Sequence, residues 1–266
     1  MAELDGPRLE PRSPPARQLV VFLHGYGADG NDLIDIGRAW QGLLPQAAFV
    51  SPHAPEPCSQ APVGRQWFPL TFRDPNERWT GVNAAAPILT SFLDAELKRR
   101  NLPPSALALV GFSQGTMLAL HAGLRRTTAP AAIVGYSGLL AVPPDVNPET
   151  FAAEIKSRPP VLLVHGDRDD LIPPQALFQA AGGLAALGVP VEGTCPMASA
   201  TASTRMDCAT AASFSRGGWH RCAAHSWQMP ALIRASGNGC SLAIRPPLFA
   251  EDERREGNPR VPPRPA

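Results

Sequence analysis

Gly111-Phe-Ser113-Gln-Gly115 sets a serine between two glycines, behind the apolar run Ala106-Leu-Ala-Leu-Val110 and ahead of the helix-prone Thr116-Met-Leu-Ala-Leu-His121. This order reads as a strand, a sharp turn and a helix. A serine on such a turn projects its hydroxyl above the end of a sheet, where it can act as a nucleophile, and the flanking glycines give a strained backbone the room it needs. The five-residue pattern alone also fits an ordinary glycine-rich turn, so the strand before it and the helix after it carry the weight.

Two further segments could complete that chemistry. His24-Gly-Tyr-Gly-Ala-Asp-Gly30-Asn-Asp follows the apolar run Gln18 to Leu23. Its glycines let backbone amides turn toward charge that develops only in a transition state, and the N–H groups of Tyr26 and Gln114 are the candidate oxyanion donors. Without Ser113 the same loop reads as a strand-to-helix turn capped by Asn31 or Asp32. His165-Gly-Asp167-Arg-Asp169-Asp170-Leu-Ile-Pro173 follows the apolar run Val161 to Val164. A carboxylate at a strand end can hold a histidine in the right tautomer and stabilise its cation. Asp167, Asp169 and Asp170 compete for that role, and the order serine, acid, histidine suits a hydrolase built on a parallel sheet.

The elements that must position these groups alternate. Gln18 to Leu23, Ala48 to Val50, Ala106 to Val110, Ala131 to Tyr136, Pro160 to Val164 and Val189 to Glu192 read as strands; Asn83 to Arg100, Gln114 to Arg125 and Pro174 to Leu187 read as helices. Such alternation implies an α/β fold with a mostly parallel sheet covered on both faces. At 266 residues the chain fits one large domain. Its formal charge of +1 is spread without a basic stripe, which argues against a nucleic-acid partner. No apolar run reaches membrane-spanning length, and the acids and prolines of the first residues are unlike a signal peptide, so a cytoplasmic protein with no integral membrane association is expected. The five cysteines include no C-x-x-C pair, which indicates neither a zinc site nor a disulfide framework.

Leu23-His-Gly-Tyr-Gly-Ala-Asp-Gly, Ser51-Pro-His-Ala-Pro, Gly64-Arg-Gln-Trp-Phe, Gly111-Phe-Ser-Gln-Gly and His165-Gly-Asp-Arg-Asp-Asp-Leu-Ile-Pro together resemble the phospholipase/carboxylesterase family of α/β-hydrolases, which includes the acyl-protein thioesterases. The resemblance runs from about residue 18 to 192. It implies Ser113 as nucleophile, Asp169 as the acid, and Tyr26 and Gln114 as oxyanion donors. It also implies hydrolysis of small-molecule carboxylic esters or acyl thioesters with no cofactor and no metal. The long segment Pro55 to Pro75, with Trp67, Phe68, Leu70 and Phe72, reads equally as the wall of an acyl channel and as a loop that buries its own aromatics.

Composition changes after Glu192. The chain divides into an N-terminal extension (1–17), a hydrolase core (18–192) and a tail (193–266) rich in Ala, Ser, Thr, Arg and Gly, expected to be disordered. The family carries its catalytic histidine on a Gly-x-Gly-His loop after this point, yet this chain has no histidine between His165 and His220. One permitted codon set for Gly193 to Thr204, read one base earlier with a T in front, gives Trp-His-Val-Ser-His-Gly-Leu-Gly-His-Gly-Ile-Asp. That is the missing segment, its histidine overlapping Thr201, and it points to a shift of reading frame after Glu192. Only Lys98 and Lys156 are lysines among 24 basic residues, as in GC-rich coding DNA, where C or G is the favoured wobble base. His220 and His225 lie downstream in polar, glycine-rich surroundings and read as solvated loop residues. His24 and His165 sit at strand ends and read as organisers of their loops.

Overall fold

A computed structural model describes residues 4–195, apart from 59, 72, 75, 144–146 and 168. Expectations for the tail from residue 196 onward, for His220 and His225, and for Phe72 lie outside the described residues. In chain order the elements are β1 (Arg8–Leu9), β2 (Gln18–Leu23), α1 (Asn31–Trp40), β3 (Ala47–Val50), β4 (Glu56–Pro57), β5 (Arg65–Gln66), α2 (Glu77–Arg99), β6 (Leu107–Phe112), α3 (Gln114–Leu124), β7 (Ala132–Tyr136), α4 (Pro148–Ala153), β8 (Val161–Val164), α5 (Gln175–Ala186) and β9 (Val191–Thr194). A seven-stranded sheet has the order β1-β3-β2-β6-β7-β8-β9, with every pairing parallel except that of β1 with β3. β4 and β5 form a separate antiparallel pair.

Strand residues alternate between two cores. Leu19, Val21, Leu23, Leu107 and Leu109 face one cluster, which takes in Leu89 and Leu93 of α2, Leu118 of α3 and Leu184 of α5. Val20, Phe22, Ala108 and Val110 face the other, which takes in Leu33, Ile36 and Trp40 of α1. A strand buried on both faces must be apolar throughout, which is why these runs stand out in the sequence. Among the described helices α1 alone lies on the second face, where it packs against β1, β2 and β3.

Several boundaries differ from the sequence reading. α2 begins at Glu77 rather than Asn83 and contains Pro87. Thr80-Gly81 and Pro87 are poor helix formers that hide its first turns, yet Gly81 is demanded by packing, since a Cβ there would stand 2.2 Å from the Phe68 ring. α1 carries apolar residues at 33, 36, 37 and 40, a helical stripe that the glycine-rich loop before it obscured. Asp29 Oδ1 accepts from Asn31 N–H, and Asp32 reaches back to accept from Asp29 N–H. The last strand lies two residues later than Val189 to Glu192. Gly188, at φ +70°, and Val189 instead close α5: Gly188 N–H donates to Ala185 O and Val189 N–H to Leu184 O, a Schellman arrangement.

The first residues join the sheet. β1 pairs with β3, and the Arg8 and Arg99 guanidinium groups each donate to the buried Glu96 carboxylate of α2 at 3.0 Å, which also pairs with Arg100.

Candidate active site

Ser113 lies between the last residue of β6 and the first of α3 at φ 50° and ψ −111°, a backbone that side-chain-bearing residues seldom adopt. Its surroundings hold it there. Ser113 N–H donates to Tyr136 O at 2.9 Å, and its carbonyl accepts the first hydrogen bonds of α3 from Thr116 and Met117. Both flanking glycines are sterically obligatory. A Cβ on Gly115 would stand 2.0 Å from Leu23 O, and one on Gly111 would stand 2.5 Å from Gly115 C. Helix and strand therefore approach more closely than any side chain permits, and the turn between them has no relaxed alternative.

The glycine-rich loop after β2 comes to the same place. A Cβ on Gly25 would stand 2.8 Å from the Phe112 ring and 3.5 Å from Ser113 Cβ. Tyr26, the next residue, is half-buried against the main core. His24 anchors this loop from below: its Nδ1–H donates to Gly25 O at 2.8 Å, and its Nε2 accepts from Ala54 N–H at 3.0 Å. Burial pushes the His24 imidazolium pKa down to about 4, so the ring is neutral and both nitrogens are engaged. His53 Nδ1 accepts from Gly30 N–H at the far end of the loop.

A third segment locks the first two together. Gln114 is fully buried; its side-chain Oε1 accepts from Trp67 N–H at 2.9 Å, and its Nε2 donates to Phe68 O at 2.8 Å. Trp67 Nε1–H donates to His24 O at 3.0 Å, and Arg65 reaches the carbonyls of Ala54 and Pro55. Trp67, Phe68 and Leu70 are buried in the main core. Of the two roles open for this segment, these three residues take the packing one.

The loop after β8 carries the carboxylates. Asp169 Oδ1 accepts from the N–H groups of Leu171 and Ile172 at 3.1 and 2.9 Å, which fixes a tight turn. His165, almost fully buried, donates from Nε2 to Ile172 O at 2.7 Å, and the same nitrogen lies 3.5 Å from Asp169 Oδ2. Asp169 is thus held by two backbone amides of its own turn. His165 organises the loop, as its strand-end position suggested.

None of the four described histidines hydrogen-bonds to Ser113. His24, His53 and His165 are engaged elsewhere, and His121 packs edge-on to Trp79 with its Nδ1 buried and unpartnered. Burial, with the Arg125 cation as a lesser contribution, pushes the His121 pKa down to about 3. Among the described residues no cluster of His, Cys, Asp and Glu is arranged to hold a metal ion, and no helix is long and apolar enough to cross a membrane.

The family model described as Phospholipase/Carboxylesterase matches residues 4–210. The chain belongs to the phospholipase/carboxylesterase family. It is 30% identical over 158 residues to Esterase YpfH of Escherichia coli (strain K12), covering 59% of this chain and 64% of that protein's length. It is 28% identical over 180 residues to Acyl-protein thioesterase 1 of Saccharomyces cerevisiae, covering 64% of this chain and 78% of that one. Among solved structures, esterase PE8 superposes with a TM-score of 0.69 at 42% identity, over 74% of this chain and 91% of that one. Arabidopsis thaliana SOBER1, at 20% identity and a TM-score of 0.59, shares the fold. As in the sequence reading, this phospholipase/carboxylesterase chain has an α/β-hydrolase fold with a mostly parallel sheet. The family match runs past Glu192, and so does the sheet: β9 continues to Thr194, whose carbonyl accepts from His165 N–H at 3.0 Å.

Proposed function

We propose that this chain is built to hydrolyse carboxylic esters or acyl thioesters through serine chemistry, and that as written it lacks the histidine this chemistry requires. The strained backbone of Ser113 at the carboxyl end of the sheet carries the reading. In this scheme Ser113 Oγ attacks the acyl carbon, and the N–H groups of Tyr26 and Gln114 stabilise the oxyanion. A histidine oriented by Asp169 accepts the Ser113 proton and passes it to the departing alcohol or thiol. Water then attacks the acyl-serine with the same base taking its proton, which releases the acid and restores the hydroxyl.

Two observations support the missing base. Every described histidine that has a hydrogen bond spends it on a loop rather than on Ser113. The second face of the sheet has no described helix over β7 and β8, whose Val134, Leu162 and Val164 lie on that face. A reading frame shifted after Glu192 accounts for both, since the family segment it replaces supplies a histidine and then a helix for this face. On that reading the hydrolase core ends near 192 and 193–266 forms a tail, although the family match extends to residue 210. An acyl-binding protein without turnover is the second reading, favoured by the same lack of a base.

Restoring the alternate frame after Glu192 tests the proposal. Turnover of a short p-nitrophenyl ester should rise by several orders of magnitude, on the order of the millionfold that a triad base contributes. A fluorophosphonate should label Ser113 rapidly in the restored chain and slowly in the present one, and Ser113→Ala should abolish both signals. Equal activity in the two forms, silenced by His220→Ala or His225→Ala, would sink the missing-base reading.

A further inference from the structure

Arg78, on the first turn of α2, has no carboxylate partner and no hydrogen bond among the described residues, and its Nε is buried without an acceptor. Nε is buried and unpartnered in Arg100 and Arg126 as well, so it is the lack of a carboxylate that sets Arg78 apart from five arginines of the fold. Arg8, Arg99 and Arg100 sit on Glu96, Arg125 on Glu154 and Arg126 on Asp94. A buried donor left unmade costs free energy that an incoming acceptor recovers. Arg78 also lines a cleft of about 250 Å³ whose other walls include Leu139, Leu171, Ile172 and Pro173. Leu171 is 62% exposed, which leaves its side chain open to a ligand.

The cleft adjoins the candidate site through covalent neighbours. Leu171 and Ile172 are the residues whose amides hold Asp169, and Ile172 O is the acceptor for His165. On the other side Leu139 follows Ser137, whose N–H donates to Val164 O at the end of β8, and Gly138, which abuts Thr116 of α3. Apolar walls, with Gln175 and Gln179 and one unpaired cation beside them, form a pocket for an aliphatic arm with an anionic end. A lone guanidinium balances the single charge of a carboxylate, whereas a phosphate monoester brings close to two charges and calls for further donors.

We infer that the cleft between Arg78 and the Leu171–Pro173 turn is a subsite for a carboxylate carried on an aliphatic arm, so that the preferred acyl substrates are those with an anionic terminus. The substrate part of this inference rests on the hydrolase reading above; the binding part does not.

Calorimetry on the full chain with octanoate and with the neutral isostere octanamide tests it. Octanoate should bind about tenfold more tightly than octanamide, as expected for one charge-assisted contact. The preference should weaken with added salt. Arg78→Gln should abolish it without altering octanamide binding, and Arg78→Lys should retain part of it, which also guards against a variant that fails to fold. Equal affinity of the parent for both ligands, binding of neither, or an octanoate preference that survives in Arg78→Gln would each overturn the subsite. A frame-restored chain that binds octanoate through Arg78 yet never reacts at Ser113 refutes the hydrolase reading alone. One that reacts at Ser113 but ignores the ligand's charge refutes the subsite alone.

Discussion

Gln114 joins the nucleophile turn to the segment that covers it, and replacing it measures how far the site depends on that joint. Its side chain is fully buried and makes two good hydrogen bonds to main-chain groups, with Trp67 N–H and Phe68 O. Gln114→Ala leaves a buried donor and a buried acceptor unmade, each costing about 1–3 kcal/mol. The vacated space can admit a water that satisfies part of this demand, which holds the expected loss to about 2–4 kcal/mol. Against a total stability of about 5–15 kcal/mol that is a large fraction. Gln114→Glu should be worse despite its matching shape, because a carboxylate still accepts from Trp67 N–H but sets a second acceptor against Phe68 O. Urea unfolding followed by tryptophan fluorescence reads the effect. A Gln114→Ala protein within about 0.5 kcal/mol of the parent, as expected for a surface change, would refute the idea that this side chain clamps the two segments. The backbone N–H of residue 114 survives in both variants, so a loss of activity larger than the loss of folded protein would report misplacement of the oxyanion donors rather than their removal.

In the frame-restored protein Asp169→Asn should lower kcat steeply, with Asp167→Asn and Asp170→Asn doing less, because only Asp169 is fixed by the turn amides of Leu171 and Ile172; a larger effect at Asp170 would move the assignment by one residue. Acid should destabilise the fold through His24 and His121, whose pKa values are pushed down to about 4 and about 3 by burial. The unfolded chain takes up these protons near pH 6.5, so the two rings contribute full stability above that pH. That contribution falls as pH drops from about 6.5 toward 4 for His24 and toward 3 for His121. His121→Gln should flatten the dependence of the urea midpoint on pH over this range, and an unchanged slope would contradict a neutral buried His121.

The strands of the sheet were legible because burial on both faces leaves no room for polar residues, and β2, β6 and β8 read as continuous apolar runs. The serine turn was legible for a related reason, since Gly111 and Gly115 stand where any Cβ would strike backbone. α1 and the first turns of α2 were harder to see. There a glycine needed for close packing, Gly81 against Phe68, mimics loop chemistry, and an exposed proline, Pro87, does the same. The clamping role of the Gln114 side chain and the place of Arg78 could not be read at all, because one is defined by hydrogen bonds spanning 46 and 47 residues of chain and the other by the lack of a carboxylate partner among the described residues.

If the reading frame shifts after Glu192 as proposed, the end of β9 gives a reason for the fold to stay partly intact. Glu192, Gly193 and Thr194 are exposed on a strand that forms the edge of the sheet among the described residues, and they pair with β8 through backbone groups. Such pairing asks little of the side chains, so the register with Leu163 and Val164 can persist through Gly193 and Thr194 even if the reading frame shifts after Glu192. A catalytic histidine has no such tolerance. Its role requires one side chain at one place between Ser113 and Asp169, and a neighbouring residue of another type cannot supply the proton acceptor. A shift of frame at this position therefore separates two properties that usually fail together: the sheet that positions the nucleophile, which backbone hydrogen bonds can carry past the change, and the chemistry of the nucleophile, which depends on a single ring nitrogen.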